Sequence, residues 1–209
     1  MFDWLGDILS GLGDALSVVF EGVGADIAVD IWNALVEWID KEVLDAFSYR
    51  GLVYESADYH NAVFVGADRE GKPRHIHKHS TAAQGSFKGN APGSKPEYSF
   101  HWVGGGDNLF LFEAPIDMLS FISMHKQHWK SSSYAAACGV SDKVLWKTME
   151  GRPFIRNVCI CLDNDETGQK AAQRISKALT EKNIRNQILV PTRKDWNEDL
   201  LFLRKENKK

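Results

Sequence analysis

Three carboxylates follow two apolar stretches of the sequence. Glu113 comes directly after LFLF, and Asp163 and Asp165 come after VCICL. The carboxyl ends of neighbouring parallel strands meet at one edge of a sheet, so these side chains converge if the two strands are adjacent. Carboxylates gathered in this way repel one another unless a divalent cation neutralises them, and hard oxygen ligands suit Mg²⁺, with Mn²⁺ as an alternative. The spacing therefore predicts a divalent-cation site of the kind that serves phosphate substrates.

Helix capping is the alternative explanation for some of these acids. Asp and Thr are common residues immediately before a helix, and capping accounts well for Asp165 or Thr167. It does not account for Glu113, which ends an apolar strand and precedes a proline. Metal binding is therefore the preferred interpretation for the three strand-end acids. Asp117 either joins them or complements the dipole of the helix that it helps to begin.

The elements that must position these acids are readable in residues 104 to 209. Three segments each read as a strand followed by a helix: LFLFEAPIDMLSFISMHKQ, SYAAACGVSDKVLWKTM and NVCICLDNDETGQKAAQRISKALTEKN. NQILVPT reads as a further strand and KDWNEDLLFLRKENKK as a last helix. Alternating strands and helices indicate an α/β fold in which helices flank a parallel sheet.

Residues 49 to 103 form a predicted β-rich module with basic character. AVFVGADREGKPRHIHKHS reads as two strands around an Asp-Arg-Glu-Gly-Lys turn, a pattern typical of a hairpin. Arg74, Lys78 and Lys88 are candidate nucleic-acid contacts, although a solvated basic face explains them equally well.

Three histidines alternate within this module. His75, His77 and His79 share one face if the segment is a strand, and that spacing can bind a transition metal. Because Arg74 and Lys78 flank them, a basic hairpin face that meets phosphate is the simpler interpretation.

Residues 1 to 48 form a predicted acidic leader. Apolar residues recur at steps of three and four, which indicates one or two amphipathic helices with a break near Gly22 and Gly24. The first 40 residues contain eight acids and no Lys or Arg. Packing on the body, self-association or partner binding explains this pattern better than a membrane surface, because anionic lipid would repel the acidic face.

The body of the chain carries the basic charge and no targeting signal. Removing the eight leader acids leaves 25 basic and 20 acidic residues in positions 41 to 209, a net charge of +5 that permits a polyanionic partner. No window of 18 residues is free of charge and no positive segment opens the chain, so neither a spanning helix nor a signal peptide is predicted. The three cysteines lack metal-site spacing and are interpreted as reduced thiols of a cytoplasmic protein.

The two acidic segments resemble a known family. Glu-Ala-Pro-Ile-Asp after one apolar strand and Asp-Asn-Asp-Glu-Thr-Gly after a second one are similar to the Toprim domain, which primases, type IA and type II topoisomerases and certain nucleases share. The resemblance implies that Glu113, Asp163 and Asp165 hold Mg²⁺ for phosphoryl transfer. Asp117 matches a further acid one turn into the first helix, and Gly168 matches the glycine that follows the acid pair.

A second resemblance concerns primase-like Toprim proteins encoded on conjugative elements of Gram-positive bacteria. It rests on YHNAVFVGADREGKPR, SFKGNAPGSKPEYSF and KDWNEDL. It implies that the basic module guides single-stranded DNA, with ribonucleotides as possible substrates. In KDWNEDL, Lys194 is a candidate nucleic-acid contact, whereas Asp195 either binds a second cation or caps the last helix. The zinc-binding module that relatives usually carry has no Cys/His counterpart here, and the acidic leader stands in its place.

The resemblance implies Mg²⁺-dependent phosphoryl transfer on nucleic acid. DNA primase-like nucleotidyl transfer, for the replication or transfer of a mobile element, is the leading expectation. Two alternatives stay open: a Toprim-type nuclease with water as the nucleophile, and a nucleic-acid-binding remnant without turnover.

Overall fold

The computed structural model of the protein describes residues 39–57, 61–79, 88–139 and 141–206. Within these ranges, nine strands form two sheets, and five α-helices accompany them. The amphipathic helices predicted for residues 1 to 38 lie outside the described residues, whereas the last part of the predicted leader is helical.

The first sheet is the predicted β-rich module, and it is antiparallel. Its four strands lie in the order β1 (Val53–Glu55), β2 (Ala62–Ala67), β3 (Pro73–His79) and β4 (Lys88–Asn90). Strands β2 and β3 form the predicted hairpin, and the backbone N–H of Lys72 donates to Oδ1 of Asp68 across its turn at 2.9 Å. Gly71 supplies the positive φ, 81°, that this turn requires.

The second sheet has five strands in the order β5-β7-β6-β8-β9. Their bounds are β5 (His101–Trp102), β6 (Asn108–Phe112), β7 (Ser133–Ala136), β8 (Asn157–Cys161) and β9 (Arg185–Ile188). Strands β7, β6, β8 and β9 are parallel, and β5 runs antiparallel to β7. The predicted parallel sheet is confirmed, and the short strand predicted at the end of the β-rich module, β5, instead forms an antiparallel edge strand of this second sheet.

Helices cover both faces of the second sheet, as predicted. They are α1 (Lys41–Tyr49), α2 (Pro115–Met124), α3 (Lys143–Met149), α4 (Glu166–Glu181) and α5 (Trp196–Glu206). Alternate strand residues point to opposite faces, so Phe112 and Cys161 pack with α1, α2 and α5, while Leu111 and Ile160 pack with α3 and α4. No helix among the described residues combines the length and apolar character needed to cross a membrane.

An aromatic cluster joins the first sheet to the second. Phe47 of α1 lies with its ring centroid 5.3 Å from Phe100, 5.1 Å from Trp102 and 5.6 Å from Trp129. Phe64 of β2 reaches the same cluster through an edge contact with Phe100 at 5.3 Å. These rings are buried, so the two tryptophans serve packing, and one core spans the module and the second sheet.

Candidate functional site

Strands β6 and β8 are hydrogen-bonded neighbours. They pair in parallel with Phe112 opposite Cys161, so Glu113 and Asp163 leave the same edge of the sheet within two residues of this pair. The condition on which the metal prediction depended, that the two acid-bearing strands are adjacent, is therefore met.

Asp117 is the most deeply buried acid at this edge. It lies in the first turn of α2 with 6% of its surface exposed, and its Oδ1 accepts the backbone N–H of Asn197 at 3.2 Å. Burial, aided by the charges of Asp163 and Asp195, raises the pKa of Asp117 to about 8. At neutral pH this carboxyl keeps its proton unless a cation compensates for its charge.

Asp163 presents a buried oxygen that has no hydrogen-bond donor among the described residues, namely Oδ1. Burial, aided by the charges of Glu113 and Asp195 and opposed by Lys88, raises the pKa of Asp163 to about 7. A buried oxygen without a donor costs free energy, which a bound cation would recover.

Asp165 has a structural task as well. It is exposed at the amino end of α4, where its Oδ1 accepts the backbone N–H of Gly168 at 2.7 Å. The capping explanation is therefore confirmed for Asp165, although it occupies only one of the two carboxylate oxygens. Glu113 is half-buried, and burial raises its pKa despite the lowering influence of Lys88.

The segment before α5 is held against these acids. The indole N–H of Trp196 donates to the carbonyl of Cys161 at 2.9 Å, and the backbone N–H of Asn164 donates to the carbonyl of Lys194 at 2.7 Å. Asp195 caps α5 through the backbone N–H of Glu198 at 2.8 Å, and its charge also raises the pKa of two neighbouring acids. We define the acidic edge as Glu113, Asp117, Asp163, Asp165 and Asp195.

Two predicted nucleic-acid contacts, Lys88 and Lys194, face the acidic edge. Both side chains are exposed, and both lie close enough to lower the pKa of Glu113. Lys88 belongs to the first sheet, opposite His79 of β3, yet its charge also lowers the pKa of Asp117 and Asp163. A cation of the β-rich module therefore stands beside the acids of the second sheet, which the sequence alone did not reveal.

The other two predicted contacts lie elsewhere on β3. Nε of Arg74 forms an ion pair with Oδ2 of Asp68 at 2.6 Å, so its charge is already compensated within the hairpin. Lys78 is half-buried opposite Val63 and has a partner of its own. Nucleic-acid contact by these two residues stays a prediction, and for Arg74 it would compete with the ion pair.

The alternating histidines do not form a basic phosphate-binding face. His75 and His77 are buried and lie opposite Gly66 and Phe64, on the side of the sheet that faces the core. Burial lowers the pKa of His75 to about 4 and also lowers that of His77. Alternation identified a shared face without telling whether it meets solvent or core, so His75 and His77 are excluded from a phosphate-binding face, whereas phosphate contact by Arg74 and Lys78 stays a prediction.

The residues of the acidic edge fit a hard divalent cation. Within the described ranges, no three His, Cys, Asp or Glu side chains stand close enough to form a preassembled ligand set. The donors are nevertheless all carboxylate oxygens, one of them is buried without a partner, and burial among like charges raises the pKa of Asp117 and Asp163. These are the properties of acids that a cation would draw together.

Gly168 keeps the backbone of the acidic edge in place, so Gly168→Ala is expected to destabilise the protein. An added Cβ would lie 2.4 Å from the carbonyl oxygen of Asp163, which is backbone and cannot swing away. The free energy of unfolding should fall by about 1 to 3 kcal/mol, measured by chemical denaturation. Gly105→Ala is the matched control, because a Cβ there meets no described atom within 4 Å. Equal losses in both variants would contradict this role.

The fold and the acidic edge define a Toprim-like α/β domain preceded by a β-rich sheet. Residues 110–200 match the family model described as Toprim-like. Residues 36–106 match a model described as a protein of unknown function (DUF3991). The second match ends between β5 and β6, and the first begins within β6.

Solved primase structures share this fold. The chain is similar to the primase fragment of the bacteriophage T7 primase-helicase protein, with 18% identity, a TM-score of 0.60, and coverage of 81% of this chain and 68% of that chain. It is also similar to the Aquifex aeolicus primase comprising zinc-binding and RNA polymerase domains, with 14% identity, a TM-score of 0.56, and coverage of 91% and 55% respectively. At these identities the similarity shows the fold.

A curated relative is an uncharacterized protein of Bacillus anthracis. The two sequences are 29% identical over 157 residues, which cover 69% of this chain and 45% of the relative. The chain therefore spans less than half the length of that protein.

Proposed function

We propose that this protein catalyses divalent-cation-dependent phosphoryl transfer on nucleic acid, in the form of primase-like nucleotidyl transfer. The observation that carries the proposal is the adjacency of Glu113 and Asp163 at one sheet edge, with Lys88 of the β-rich module beside them. This arrangement brings a candidate cation site and a candidate phosphate contact together. The shared fold with primase structures supports the same function.

Each acid has a role in this proposal. Asp163 and Asp165 would hold Mg²⁺ or Mn²⁺, with Asp117 in support, and a cation bound there would supply positive charge against the substrate phosphate oxygens. Glu113 either completes the coordination or accepts the proton of the attacking hydroxyl. Burial raises the pKa of Glu113 and thereby makes it a stronger base than an exposed carboxylate.

The exposed cations position the nucleic acid. Lys88 and Lys194 contact phosphates of a single-stranded DNA template or of ribonucleotide substrates, because both are exposed beside the acidic edge. Such contacts fix the register of the strand without reading its sequence. We further propose that the activity serves the replication or transfer of a mobile element, following the sequence resemblance to primase-like proteins of conjugative elements.

One gel tests the reaction. Purified protein comprising all 209 residues is incubated with end-labelled single-stranded DNA, all four ribonucleotides, and either Mg²⁺ or Mn²⁺. Labelled ribonucleotides are used in a parallel reaction to detect new strands. Wild-type protein is expected to make ribonucleotide-dependent products, and Glu113→Gln is expected to lose them while it keeps the shape of the side chain. Glu181→Gln, an exposed acid at the opposite end of the 16-residue helix α4, is the matched control and should retain them.

The same gel separates the competing functions. Shortened DNA that depends on Glu113 would replace the primase-like reaction with a nuclease reaction at the same edge. Unchanged end-labelled DNA and no ribonucleotide-labelled product from wild type or Glu181→Gln with either cation, together with salt-sensitive DNA binding, would overturn the enzymatic proposal and leave a binding module.

A further inference from the structure

A cavity of about 750 Å³ opens on the β-rich module away from the acidic edge. Its lining includes Val65 and Ala67 at the end of β2 and Pro73 at the start of β3. Lys88 pairs with His79 at the other end of β3, so the length of this strand separates the cavity from the acids. The proposed reaction does not use this cavity.

The charge of the lining is predominantly positive. Four cationic side chains and two carboxylates contribute to it, namely Arg50, Arg69, Lys72, Arg152, Asp68 and Glu70. Arg74 already pairs with Asp68, so that carboxylate does not neutralise the others. Among the described residues, none of the four lining cations forms an ion pair with a carboxylate. The lining therefore carries a net positive charge, although Glu70 in the lining and the exposed Glu150 beside Arg69 and Arg152 offset part of it.

Two of these cations are held close together from distant parts of the chain. Arg69 donates to the carbonyl of Glu150, and Nη1 of Arg152 donates to the carbonyl of Thr148 at 2.6 Å. Burial lowers the pKa of Arg152, and the charge of Arg69 lowers it further, whereas the exposed carboxylate of Glu150 opposes this shift. Neutral carbonyls orient both guanidinium groups without cancelling their charge, and each group has further N–H donors for an anion.

The remaining walls suit a flat, uncharged group. Leu52, Val65 and Val103 contribute apolar surface to the lining. The guanidinium of Arg50 lies 3.6 Å from the ring centroid of Trp102, and Arg50 is exposed while the indole is buried. A guanidinium that rests on a buried indole keeps an exposed side, and guanidinium planes are surfaces on which nucleobases can stack.

We propose that this cavity binds a free nucleoside polyphosphate, with the phosphates at Arg69, Lys72 and Arg152 and the base against Arg50 and the apolar wall. The volume is that of a site for one small molecule, which favours a free nucleotide over a nucleic-acid strand. The combination of adjacent guanidinium groups, a stacking surface and apolar walls supplies one recognition element for each part of such a ligand. This site is separate from the acidic edge and does not depend on the function proposed for it.

Calorimetric titration of the 209-residue protein with ATP in EDTA tests the site, because removal of divalent cations excludes binding that requires a metal at the acidic edge. ATP is expected to bind, and Arg69→Ala combined with Lys72→Ala should weaken it at least tenfold. A matched double variant, Lys177→Ala with Arg185→Ala, removes two exposed cations outside both sites and should bind normally. Asp163→Asn should also bind ATP normally in EDTA. Thermal midpoints confirm that each variant is folded.

Two results would overturn the assignment. The first is that ATP does not bind in EDTA, and the second is that both double variants lose affinity for ATP equally. Tripolyphosphate is the second probe, and binding as tight as that of ATP would show that no nucleoside is recognised. A ten-residue oligothymidylate is the third, and its binding without ATP binding would assign the cavity to a strand instead. Loss of primase-like activity in Glu113→Gln with ATP binding intact would leave this site standing on its own.

Discussion

Metal-free protein is expected to lose thermal stability between pH 6 and pH 9, and Mg²⁺ is expected to restore it at pH 9 but hardly at pH 6. The pKa of Asp117 is about 8 and that of Asp163 about 7, whereas both start from 3.8 in the absence of the fold. Between these values the folded state keeps protons that the unfolded chain has released. The contribution of these two groups to the free energy of unfolding is therefore fully present below about pH 4 and is lost as the pH rises through 7 to 8.

The expected loss is on the order of a few kcal/mol, which corresponds to a midpoint shift of about 5 to 10 °C. Differential scanning calorimetry with EDTA or with Mg²⁺ measures it. Asp117→Asn combined with Asp163→Asn removes the titrating groups, while the amide oxygen introduced in place of Asp117 can still accept the N–H of Asn197. This double variant should lose less stability with pH and respond weakly to Mg²⁺. Glu181→Gln should behave as wild type. The same pH dependence in the double variant as in wild type would refute the linkage.

Local patterns predicted the elements that carry the acids. Glu113 and Asp163 each follow a short apolar run, and the alternation of such runs with amphipathic segments is enough to infer parallel strands whose ends meet. The neighbouring sequence also predicted helix capping, because Asp165 directly precedes α4 and accepts a hydrogen bond from a backbone N–H in its first turn. For these residues the neighbours in sequence largely determine the environment.

Other parts of the site depend on contacts between distant segments. Lys88 reaches the acids through the pairing of β3 with β4, and Asp195 reaches them because Trp196 anchors α5 to the end of β8. Neither the register of the β3–β4 pair nor the anchoring of α5 by Trp196 produces a periodic pattern in the sequence. The cavity near Arg50 has the same origin, because α1, the β2–β3 hairpin, β5 and Arg152 form it jointly.

Replacing Phe47 with Ala is expected to cause the largest loss of stability. Phe47 is fully buried, and three aromatic rings lie within 5.6 Å of its centroid, among them Trp129, which stacks on it at an interplanar angle of 10°. Removing a buried Phe side chain costs about 3 to 5 kcal/mol, because the apolar transfer free energy is lost and a cavity remains. Urea denaturation followed by tryptophan fluorescence and by circular dichroism measures the effect.

The neighbouring Tyr49 offers a matched control on the same helix. It is 95% exposed, so Tyr49→Ala should change the free energy of unfolding by less than about 0.5 kcal/mol. Because Phe47 contacts residues of β5 and of the segment before β7, its loss should destabilise the β-rich module and the Toprim-like domain together. Both probes should then report one transition shifted to lower urea. Two separate transitions, with only the β-rich module destabilised, would contradict a shared core.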